Sequence, residues 1–472
     1  MRFVFFLLAV WFTALWPAIV RSETLPEPLS RALARAGIPQ SAVAFYVREI
    51  GAPRPLLAIG ANRALNPAST IKLLTTYAAL ELLGPAYRWP TEAYAAVPPA
   101  QGVLAGDLIL KGFGDPKLTL ENFWLLLREL RARGLREIRG DLVLDRSYFA
   151  ADSTDTSGLD DKPMRPYNTA PDALLINFKS VRLQFIPDPL ARAVRIIAEP
   201  DLPQVSIVNE LVLDSARCGY WEARLQHDLR DTPAAARLRF AGRFAAACGE
   251  RERYFSVLGP SEYAHSLFQL LWRELGGAFS GGVREGEAGP EARLLLTWKS
   301  QTLAETVRDI NKFSNNVMAR QLFLTLGAAA EGAPATTEKS VRAIRQWVAG
   351  KGLSFPELVL ENGAGLSRID RLSARSLGEL LLTAYRSPLM PELMASLPLA
   401  ASDGTMKKRF KNAAVAGHAH LKTGTLDGVR AIAGYLLDAH GRRMVVVFIV
   451  NHQNAYNARP VEDALLSWVY HR

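Results

Sequence analysis

The sequence predicts an α/β (α+β) fold in which one domain, built from both ends of the chain, is split by a β-rich insertion. Three observations lead to this prediction. Helical spacing of apolar residues covers residues 69–84 and returns after about residue 300, strand-like alternation dominates in between, and the last hundred residues end in strands followed by a helix. A chain of 472 residues is long enough for two domains or more.

Residues 1–22 have the pattern of a secretory signal peptide. An early arginine precedes an apolar run, and small residues and a polar segment follow it. We expect cleavage after Ser22; an uncleaved membrane anchor is the alternative, because the run is almost long enough to span a bilayer. Both interpretations place the rest of the chain outside the cytoplasm, and the first predicts a periplasmic protein.

The elements predicted after the signal peptide indicate that one domain is built from the two ends of the chain. "SAVAFYVREI" and "PLLAIGANRAL" flank "GAPR" as a β-hairpin, and the helix that ends at Gly84 follows. Near the C-terminus, "AHLKTGTLDGVRAIAGYLLD" and "RRMVVVFIVNH" are expected to form two strands joined by "AHGR", before a terminal helix. We therefore expect one discontinuous domain at residues 23–88 and 293–472, and a β-rich insertion of one or two small domains at residues 89–292.

Two cysteines, Cys218 and Cys248, lie in the middle of the chain. In an oxidising compartment they would most simply form a disulfide. Two unpaired buried thiols are the alternative.

The charge and the histidines limit the partners that we expect. Lysine and arginine number 56 against 46 aspartates and glutamates, a balance that favours anionic polymers or peripheral association with membrane headgroups. Nucleic acid is not expected, since neither a basic and aromatic cluster nor zinc-finger spacing occurs. His418 and His420 share a strand face but lack a third ligand, so neither a metal nor another cofactor is expected.

The first candidate for chemistry is the pair Ser69 and Lys72 in "NPASTIKLLTTYAALELLG". At a spacing of three on a helix, both side chains lie on one face, close enough for the lysine nitrogen to reach the serine oxygen. Serine becomes a nucleophile when a base removes its proton, and a lysine can be that base if its pKa is lowered. Taken alone, most pairs of this kind are a helix cap beside an exposed lysine.

Two further motifs follow. In "KFSNN", Ser314 and Asn316 lie two apart between helical patterns, where they could pass a proton and hold an amide, or simply form a capping turn. In "HLKTGT", Lys422 and Gly424 share one strand face, and Thr423 and Thr425 share the other. The glycine admits a close backbone and the lysine and hydroxyls can bind a carboxylate; solvated groups at a strand edge are the alternative.

Together, and in this order, the three motifs resemble those of the penicilloyl serine transferases, S-x-x-K, S-x-N and K-[TS]-G. About 240 residues separate Lys72 from Ser314, more than a compact β-lactamase-like domain would hold there. This insertion resembles the class C low-molecular-mass penicillin-binding proteins, the D-alanyl-D-alanine carboxypeptidase/endopeptidase family. "LKGFGDPKL", "IRGDLVLDRSYF", "PYNTAPDALLINF", "ENGAGLSRIDRLS" and "ASDGTMKKRF" also look like segments of that family.

The resemblance implies a β-lactamase/transpeptidase-like domain, an antiparallel sheet flanked by helices, that acts on peptidoglycan stem peptides. It implies that Ser69 attacks the carbonyl of a terminal D-Ala-D-Ala, or of a cross-link of similar stereochemistry, and forms an acyl-enzyme. Lys72 would be the general base, kept neutral by Lys422. Penicillins would inhibit the enzyme by acylating Ser69.

The resemblance also implies roles for the other motif residues. Ser314 would relay a proton to the leaving amine, and Asn316 would position the acyl chain. The backbone N–H groups of Ser69 and Thr425 would form the oxyanion hole. Lys422 and Thr423 would bind the terminal carboxylate, with Gly424 between the two threonines.

Arg368, in "GAGLSRID", matches a family arginine near the far end of the donor peptide. The resemblance implies that it contacts a diaminopimelate side chain, and a surface salt bridge is the alternative.

The sequence leaves two other functions of the chain open. A β-lactamase-like hydrolase would need a second base for deacylation, and a non-catalytic peptidoglycan-binding protein would have no use for the nucleophile.

Overall fold

This computed structural model describes residues 24–151 and 164–472. The predicted signal peptide at residues 1–22 therefore lies outside the described residues. Within the described ranges, every helix is too short or too polar to cross a membrane.

The described residues form helices and strands that we number in chain order. The helices are α1 (Glu27–Ala36), α2 (Lys72–Leu83), α3 (Leu120–Ala132), α4 (Pro260–Glu274), α5 (Leu303–Phe313), α6 (Asn316–Glu331), α7 (Thr337–Gly350), α8 (Ala374–Tyr385), α9 (Met390–Ser396) and α10 (Arg459–Tyr470). The strands up to the middle of the chain are β1 (Val43–Glu49), β2 (Leu57–Ile59), β3 (Arg88–Ala95), β4 (Val103–Leu104), β5 (Leu108–Gly112), β6 (Glu137–Ile138), β7 (Leu142–Asp145), β8 (Ser180–Asp188), β9 (Ala193–Glu199) and β10 (Val205–Asp214). The remaining strands are β11 (Leu225–Asp231), β12 (Ala236–Ala245), β13 (Arg251–Ser256), β14 (Ala278–Phe279), β15 (Val283–Glu285), β16 (Arg293–Thr302), β17 (Ala419–Leu426), β18 (Val429–Leu437) and β19 (Arg443–Asn451).

The two ends of the chain meet in one five-stranded antiparallel sheet of order β17-β18-β19-β1-β2. The hairpin predicted near the N-terminus is present as β1 and β2. The prediction for the C-terminal strands was wrong in one respect, because three strands are formed where two were expected. Leu426 pairs with Val429 across a two-residue Asp427-Gly428 turn, and Gly428 takes the left-handed conformation (φ 70°) that such a turn requires.

Both faces of this sheet are buried, and β1 shows how one strand serves two layers. Ala44 and Tyr46 face the core that contains α2, α6 and α8, while Phe45 and Val47 face the core that contains α1 and α10. Alternate residues of a strand point to opposite faces, so a strand buried on both faces is apolar throughout. The sheet is therefore a rigid layer held between two groups of helices.

The inserted region has a core of its own, around residues such as Phe123, Phe185, Phe240 and Trp272. Its larger sheet has the order β15-β7-β5-β3-β16, and three-stranded sheets formed by β8 to β14 with β4 and β6 complete it. The domain boundaries stay predictions. The antiparallel pairing of β16 with β3 places residues 293–302 on the sheet of the insertion, which favours a second crossing near Thr302.

Cys218 and Cys248 are joined by a disulfide that closes a loop of 30 residues within the insertion. The bond connects the segment after β10 to the turn after β12.

Replacing both cysteines by alanine should lower the stability of the insertion by about 3 to 4 kcal/mol, the loop-closure entropy of a loop of this length. Thermal unfolding of the double variant, compared with wild type under oxidising and reducing conditions, checks this; an unchanged unfolding midpoint would contradict it.

Candidate active site

Ser69 lies in a tight turn between β2 and α2. Residues Ala68–Ile71 form one turn of 3-10 helix, and α2 begins at Lys72. Asn66 fixes this turn: its side chain accepts from the N–H of Ala68 at 2.9 Å and donates to the carbonyl of Ser367 at 2.8 Å. Its own N–H donates to the side chain of Asn451, at the end of β19, at 2.7 Å. The nucleophile candidate is thus tied to the sheet and to a distant loop.

Lys72 is fully buried and its Nζ has three polar neighbours. Nζ lies 3.0 Å from Ser69 Oγ, 2.7 Å from Asn316 Oδ1 and 2.5 Å from the carbonyl oxygen of Ala364. A neutral amine has two N–H groups and one lone pair. It can therefore donate to the amide and carbonyl oxygens and accept the proton of Ser69, which uses every group that it has.

Electrostatics favours the neutral form of Lys72. Burial lowers its pKa well below the usual value, and the nearby charges of Lys422 and Arg320 lower it further, while Asp370 acts in the opposite direction. Asp370 is itself buried, and this burial raises the pKa of its carboxyl group to about 7. The carboxyl group is therefore partly neutral near pH 7, which weakens its effect on Lys72. Lys72 is accordingly a strong candidate for a base toward Ser69.

Ser314 and Asn316 lie at the junction of α5 and α6. Ser314 ends α5 in the left-handed conformation (φ 57°, ψ 37°), and Asn315 caps α6 by accepting from the N–H of Met318 at 3.0 Å. This sharp junction turns Ser314 toward β17 and Asn316, the first residue of α6, toward Lys72. The motif is the inter-helix turn that its sequence predicts.

The strand β17 carries Lys422 and Gly424 into the same site. The Nζ of Lys422, fully buried, donates to Ser314 Oγ at 2.9 Å and to the carbonyl of Thr423 at 2.7 Å. Burial lowers the pKa of Lys422 to about 7. A Cβ on Gly424 would lie 3.0 Å from the backbone nitrogen of Ser69, so a side chain there would push the strand and the Ser69 turn apart by a few tenths of an ångström.

The edge of β17 that does not pair with β18 faces the site. The strand pairs with β18 on one edge only, and on the other edge the N–H of Leu421 donates to the carbonyl of Pro398 at 2.9 Å. Main-chain groups of alternate residues point to the same edge, so those of Thr423 and Thr425 also point away from β18. The N–H of Thr425 therefore lies on the edge of β17 that does not pair with β18, one residue after Gly424, which packs against the Ser69 turn.

The structure brings six of the predicted residues into direct contact: Ser69, Lys72, Ser314, Asn316, Lys422 and Gly424. Thr423 and Thr425 line the same strand edge. Arg368 lies apart, at the turn after β17, where its Nη1 donates to the carbonyl of Asp427 at 2.9 Å. It is 52% exposed, and its contacts are those of the surface pair that the sequence left as an alternative.

Several site residues carried no recognisable motif of their own. Ala364 contributes only its carbonyl oxygen, and Gly365 adopts a positive φ of 75° that brings the loop against the Ser69 turn. Thr405 Oγ1 lies 2.9 Å from Thr423 Oγ1. The family-like segments "ENGAGLSRIDRLS" and "ASDGTMKKRF" contain these residues, and this similarity was the one sequence signal available for them.

A comparison with protein families agrees with this geometry. Residues 25–471 match the model of the D-Ala-D-Ala carboxypeptidase 3 (S13) family. The chain belongs to this family. The family predicted from the three motifs is thereby confirmed, and with it the assignment of the chain as a D-Ala-D-Ala carboxypeptidase.

Relatives of this carboxypeptidase family cover most of the chain. D-alanyl-D-alanine carboxypeptidase DacB of Haemophilus influenzae is 26% identical over 416 residues, which is 87% of this chain and 85% of the relative. The D-alanyl-D-alanine carboxypeptidase of Actinomadura sp. (strain R39) is 29% identical over 85% of this chain and 76% of its own length.

The fold is also that of a solved structure. The crystal structure of penicillin binding protein 4 (dacB) from Haemophilus influenzae superposes with a TM-score of 0.78 at 23% identity, covering 94% of this chain and 99% of that one. The same protein complexed with a β-lactam gives a TM-score of 0.74. This likeness confirms the predicted class, a mixed α/β domain with an insertion.

The close contact at Gly365 gives a test of the site geometry. A Cβ there would lie well inside van der Waals distance of the carbonyl oxygen of Ala68, in a loop that already holds Lys72 through Ala364. Gly365→Ala should therefore displace the Ser69 turn and slow acylation by penicillin at least about tenfold, the cost of a small misplacement of reacting groups.

Gly352→Ala is the matched control for that variant. Gly352 has a similar positive φ (69°), but nothing lies within 4 Å of the added carbon. It carries the same backbone strain without the collision. Equal acylation rates in the two variants, measured by stopped-flow with a chromogenic β-lactam, would show that the contact at Gly365 does not position Ser69.

Proposed function

We propose that the protein is an exported serine-type D-Ala-D-Ala carboxypeptidase of peptidoglycan stem peptides that also opens cross-links of the same stereochemistry, through an acyl-enzyme on Ser69. The observation that carries the proposal is the 3.0 Å contact between Ser69 Oγ and the buried Nζ of Lys72, whose pKa is strongly lowered. The signal pattern at residues 1–22 and the disulfide support export to the periplasm.

Acylation begins when Lys72 takes the proton of Ser69 and the serine oxygen attacks the carbonyl of the penultimate D-alanine. The negative oxygen that develops is bound by the backbone N–H groups of Ser69 and Thr425, and losing one such donor typically costs about 3 kcal/mol. The carbon–nitrogen bond then breaks, and the proton that Lys72 took from Ser69 passes through Ser314 to the leaving amine, which returns Lys72 to its neutral form. An ester on Ser69 remains, and D-alanine departs.

Deacylation reverses these roles with water. Lys72 removes a proton from a water molecule, the hydroxide attacks the ester carbonyl, and the proton returns to Ser69 as the peptide acid leaves. Asn316 holds the Lys72 amine by accepting from it at 2.7 Å and presents its amide N–H group to the acyl chain.

Substrate selection rests on the terminal carboxylate. Lys422 is buried in the site with its Nζ beside Ser314 Oγ, and Thr423 and Thr425 follow it on the same strand. A carboxylate bound here would pair with the Lys422 charge and accept from the hydroxyls. This arrangement favours an amide whose leaving residue carries a free carboxylate, as a terminal D-alanine and a cross-link of the same stereochemistry both do, over an ordinary internal amide.

β-Lactams are proposed inhibitors of the same site. Their carboxylate and cyclic amide can occupy the positions of the terminal D-alanine, and the ring-opened amine stays covalently attached where deacylating water must enter. The β-lactam complex of the Haemophilus influenzae protein supports this proposal. A β-lactamase would instead release the product rapidly, so turnover of a penicillin separates the two functions.

Labelling with fluorescent penicillin tests the nucleophile. Ser69→Ala should abolish labelling and hydrolysis of a D-Ala-D-Ala pentapeptide, because Ser69 Oγ is the hydroxyl that lies in contact with the Lys72 base. Lys72→Ala should label about 10²- to 10⁴-fold more slowly, the usual contribution of a general base. Ser30→Ala, on the exposed face of α1, is the control and should label like wild type. Persistent labelling of Ser69→Ala would remove Ser69 as the nucleophile.

The two lysines predict a bell-shaped pH dependence for the second-order rate constant of acylation. The rate constant should rise with pH as Lys72, with its lowered pKa, loses its proton and becomes a base. It should fall again near pH 7, where free Lys422 loses the charge that binds the carboxylate. Rates measured across this range with a β-lactam that carries a carboxylate provide the profile.

Lys422→Gln distinguishes the contributions of the two lysines to the rising and falling limbs of the pH profile. Removing the neighbouring charge should raise the pKa of Lys72 and move the rising limb to higher pH, and the falling limb near pH 7 should disappear. Lys351→Gln, which removes a lysine paired with Glu81, should leave both limbs in place. A rising limb that stays fixed in Lys422→Gln would show that Lys422 does not control the protonation of Lys72.

A further inference from the structure

A basic segment begins at the active site and has no role in the mechanism above. It comprises residues Thr405–Lys411, "TMKKRFK", and we refer to it as the basic ledge. The ledge starts at Thr405, whose Oγ1 lies 2.9 Å from Thr423 Oγ1, and continues along the surface toward α10.

The ledge is fixed at its two inward-pointing residues. Met406 is completely buried in the core beneath the central sheet. Arg409, 7% exposed, pairs with Glu462 at 2.8 Å and with Asp463, both on α10. Buried and paired groups of this kind hold a backbone in one place, so the exposed residues between them are presented from a rigid base.

The start of the ledge is also fixed to the helix that carries Ser314. Lys312, near the end of α5, donates from Nζ to Asp403 at 2.6 Å and to the carbonyl of Leu397 at 2.7 Å. Gly404 packs so closely on the Lys312 backbone that a side chain there would collide with its carbonyl oxygen. The position of the ledge relative to Ser314 is therefore set by direct contacts.

Three lysines of the ledge point outward. Lys407, Lys408 and Lys411 are exposed, and none of them pairs with a carboxylate of the described residues. Arg409 pairs with Glu462 and Asp463, and Asp403 pairs with Lys312. The ledge consequently presents three unpaired positive charges immediately beyond the Thr405–Thr423 contact.

The direction of β17 decides which part of a substrate the ledge faces. Ser69 adjoins the strand at Gly424, and the C-terminal end of the strand leads to Asp427 and Arg368, where the donor peptide is expected. The opposite end, where His420 bridges to Leu399, leads to the ledge. The leaving group, with its carboxylate at Lys422 and Thr423, lies toward that end.

We propose that the basic ledge is the subsite for the leaving chain of cross-linked stem peptides, with Lys407, Lys408 and Lys411 binding its carboxylates. This inference rests on the proposed function. A single D-alanine carries one carboxylate, which Lys422 and Thr423 take, and it ends before the ledge. In a cross-linked substrate the leaving amine belongs to the diaminopimelate of a second stem peptide, whose adjacent carboxylate occupies the position at Lys422 and Thr423. The rest of this tetrapeptide continues past Thr405 and carries further carboxylates on its D-glutamate residue and its terminal D-alanine.

The proposal predicts a difference between two substrates. A variant with Lys407, Lys408 and Lys411 all changed to Gln should lose about tenfold in kcat/KM toward a purified cross-linked tetrapeptide dimer, mainly through KM, because each exposed charge pair contributes modestly. The loss should shrink as salt is added, since these charges are exposed and screened. Hydrolysis of a monomeric pentapeptide should be unchanged, and Lys407→Glu with Lys408→Glu should reduce dimer cleavage further.

The matched control removes three equally exposed charges elsewhere. Arg35, Arg54 and Lys299 lie on α1, in the β1–β2 turn and on β16, and changing all three to Gln should leave both substrates unaffected. Thermal unfolding midpoints confirm that all variants are folded. Binding to vesicles of phosphatidylglycerol and phosphatidylethanolamine is measured in parallel.

The outcomes are distinguishable. Equal losses on dimer and pentapeptide, or no loss on the dimer, would overturn the proposal. Loss of vesicle binding with intact dimer cleavage would also overturn it and assign the ledge to a membrane surface. Wild-type protein that hydrolyses the pentapeptide but not the dimer would overturn this inference together with the proposed opening of cross-links, and would leave the carboxypeptidase activity standing. Failure on both substrates would overturn the proposed function as a whole.

Discussion

The burial of two lysines in one small site is the constraint on which the rest of the structure depends. Lys72 and Lys422 come from opposite parts of the chain, and both are fully buried. Two adjacent ammonium groups without a paired carboxylate would be strongly unfavourable in such surroundings. The structure resolves this by giving Lys72 acceptors and a proton donor that suit a neutral amine, while the ammonium group of Lys422 has two oxygen acceptors.

Each supporting element fixes one part of this arrangement. The hydrogen bonds of Asn66 hold the Ser69 turn. The junction of α5 and α6 places Ser314 beside Lys422 and Asn316 beside Lys72. Gly424 allows β17 to approach without collision. Because the central sheet is covered by helices on both faces, these parts have little freedom to separate. The insertion leaves this domain and returns to it without interrupting the site, which is why a long β-rich region can be accommodated between Lys72 and Ser314.

The sequence was informative where the relevant geometry is local. The i, i+3 spacing of Ser69 and Lys72, the capping residues around Ser314 and the alternation along β17 each depend on neighbours in the chain, and the structure has all three. The sequence does not predict the extra strand, because apolar residues continue on both sides of Asp427-Gly428 and conceal the two-residue turn. The pairing of β16 with β3, the Ala364 carbonyl and the Thr405 hydroxyl depend on segments that are distant in sequence, and no local pattern specifies such contacts.

The central claim is that Lys72 is neutral while its neighbour Lys422 is still charged. The most direct measurement is an NMR titration of the lysine Nζ groups in isotopically labelled protein, with the two signals assigned from the spectra of Lys72→Gln and Lys422→Gln. The account predicts that Lys72 loses its proton at lower pH than Lys422, and that Lys422 titrates near pH 7. If Lys72 keeps its proton at a pH where Lys422 has already lost its own, Lys72 is not the base that activates Ser69.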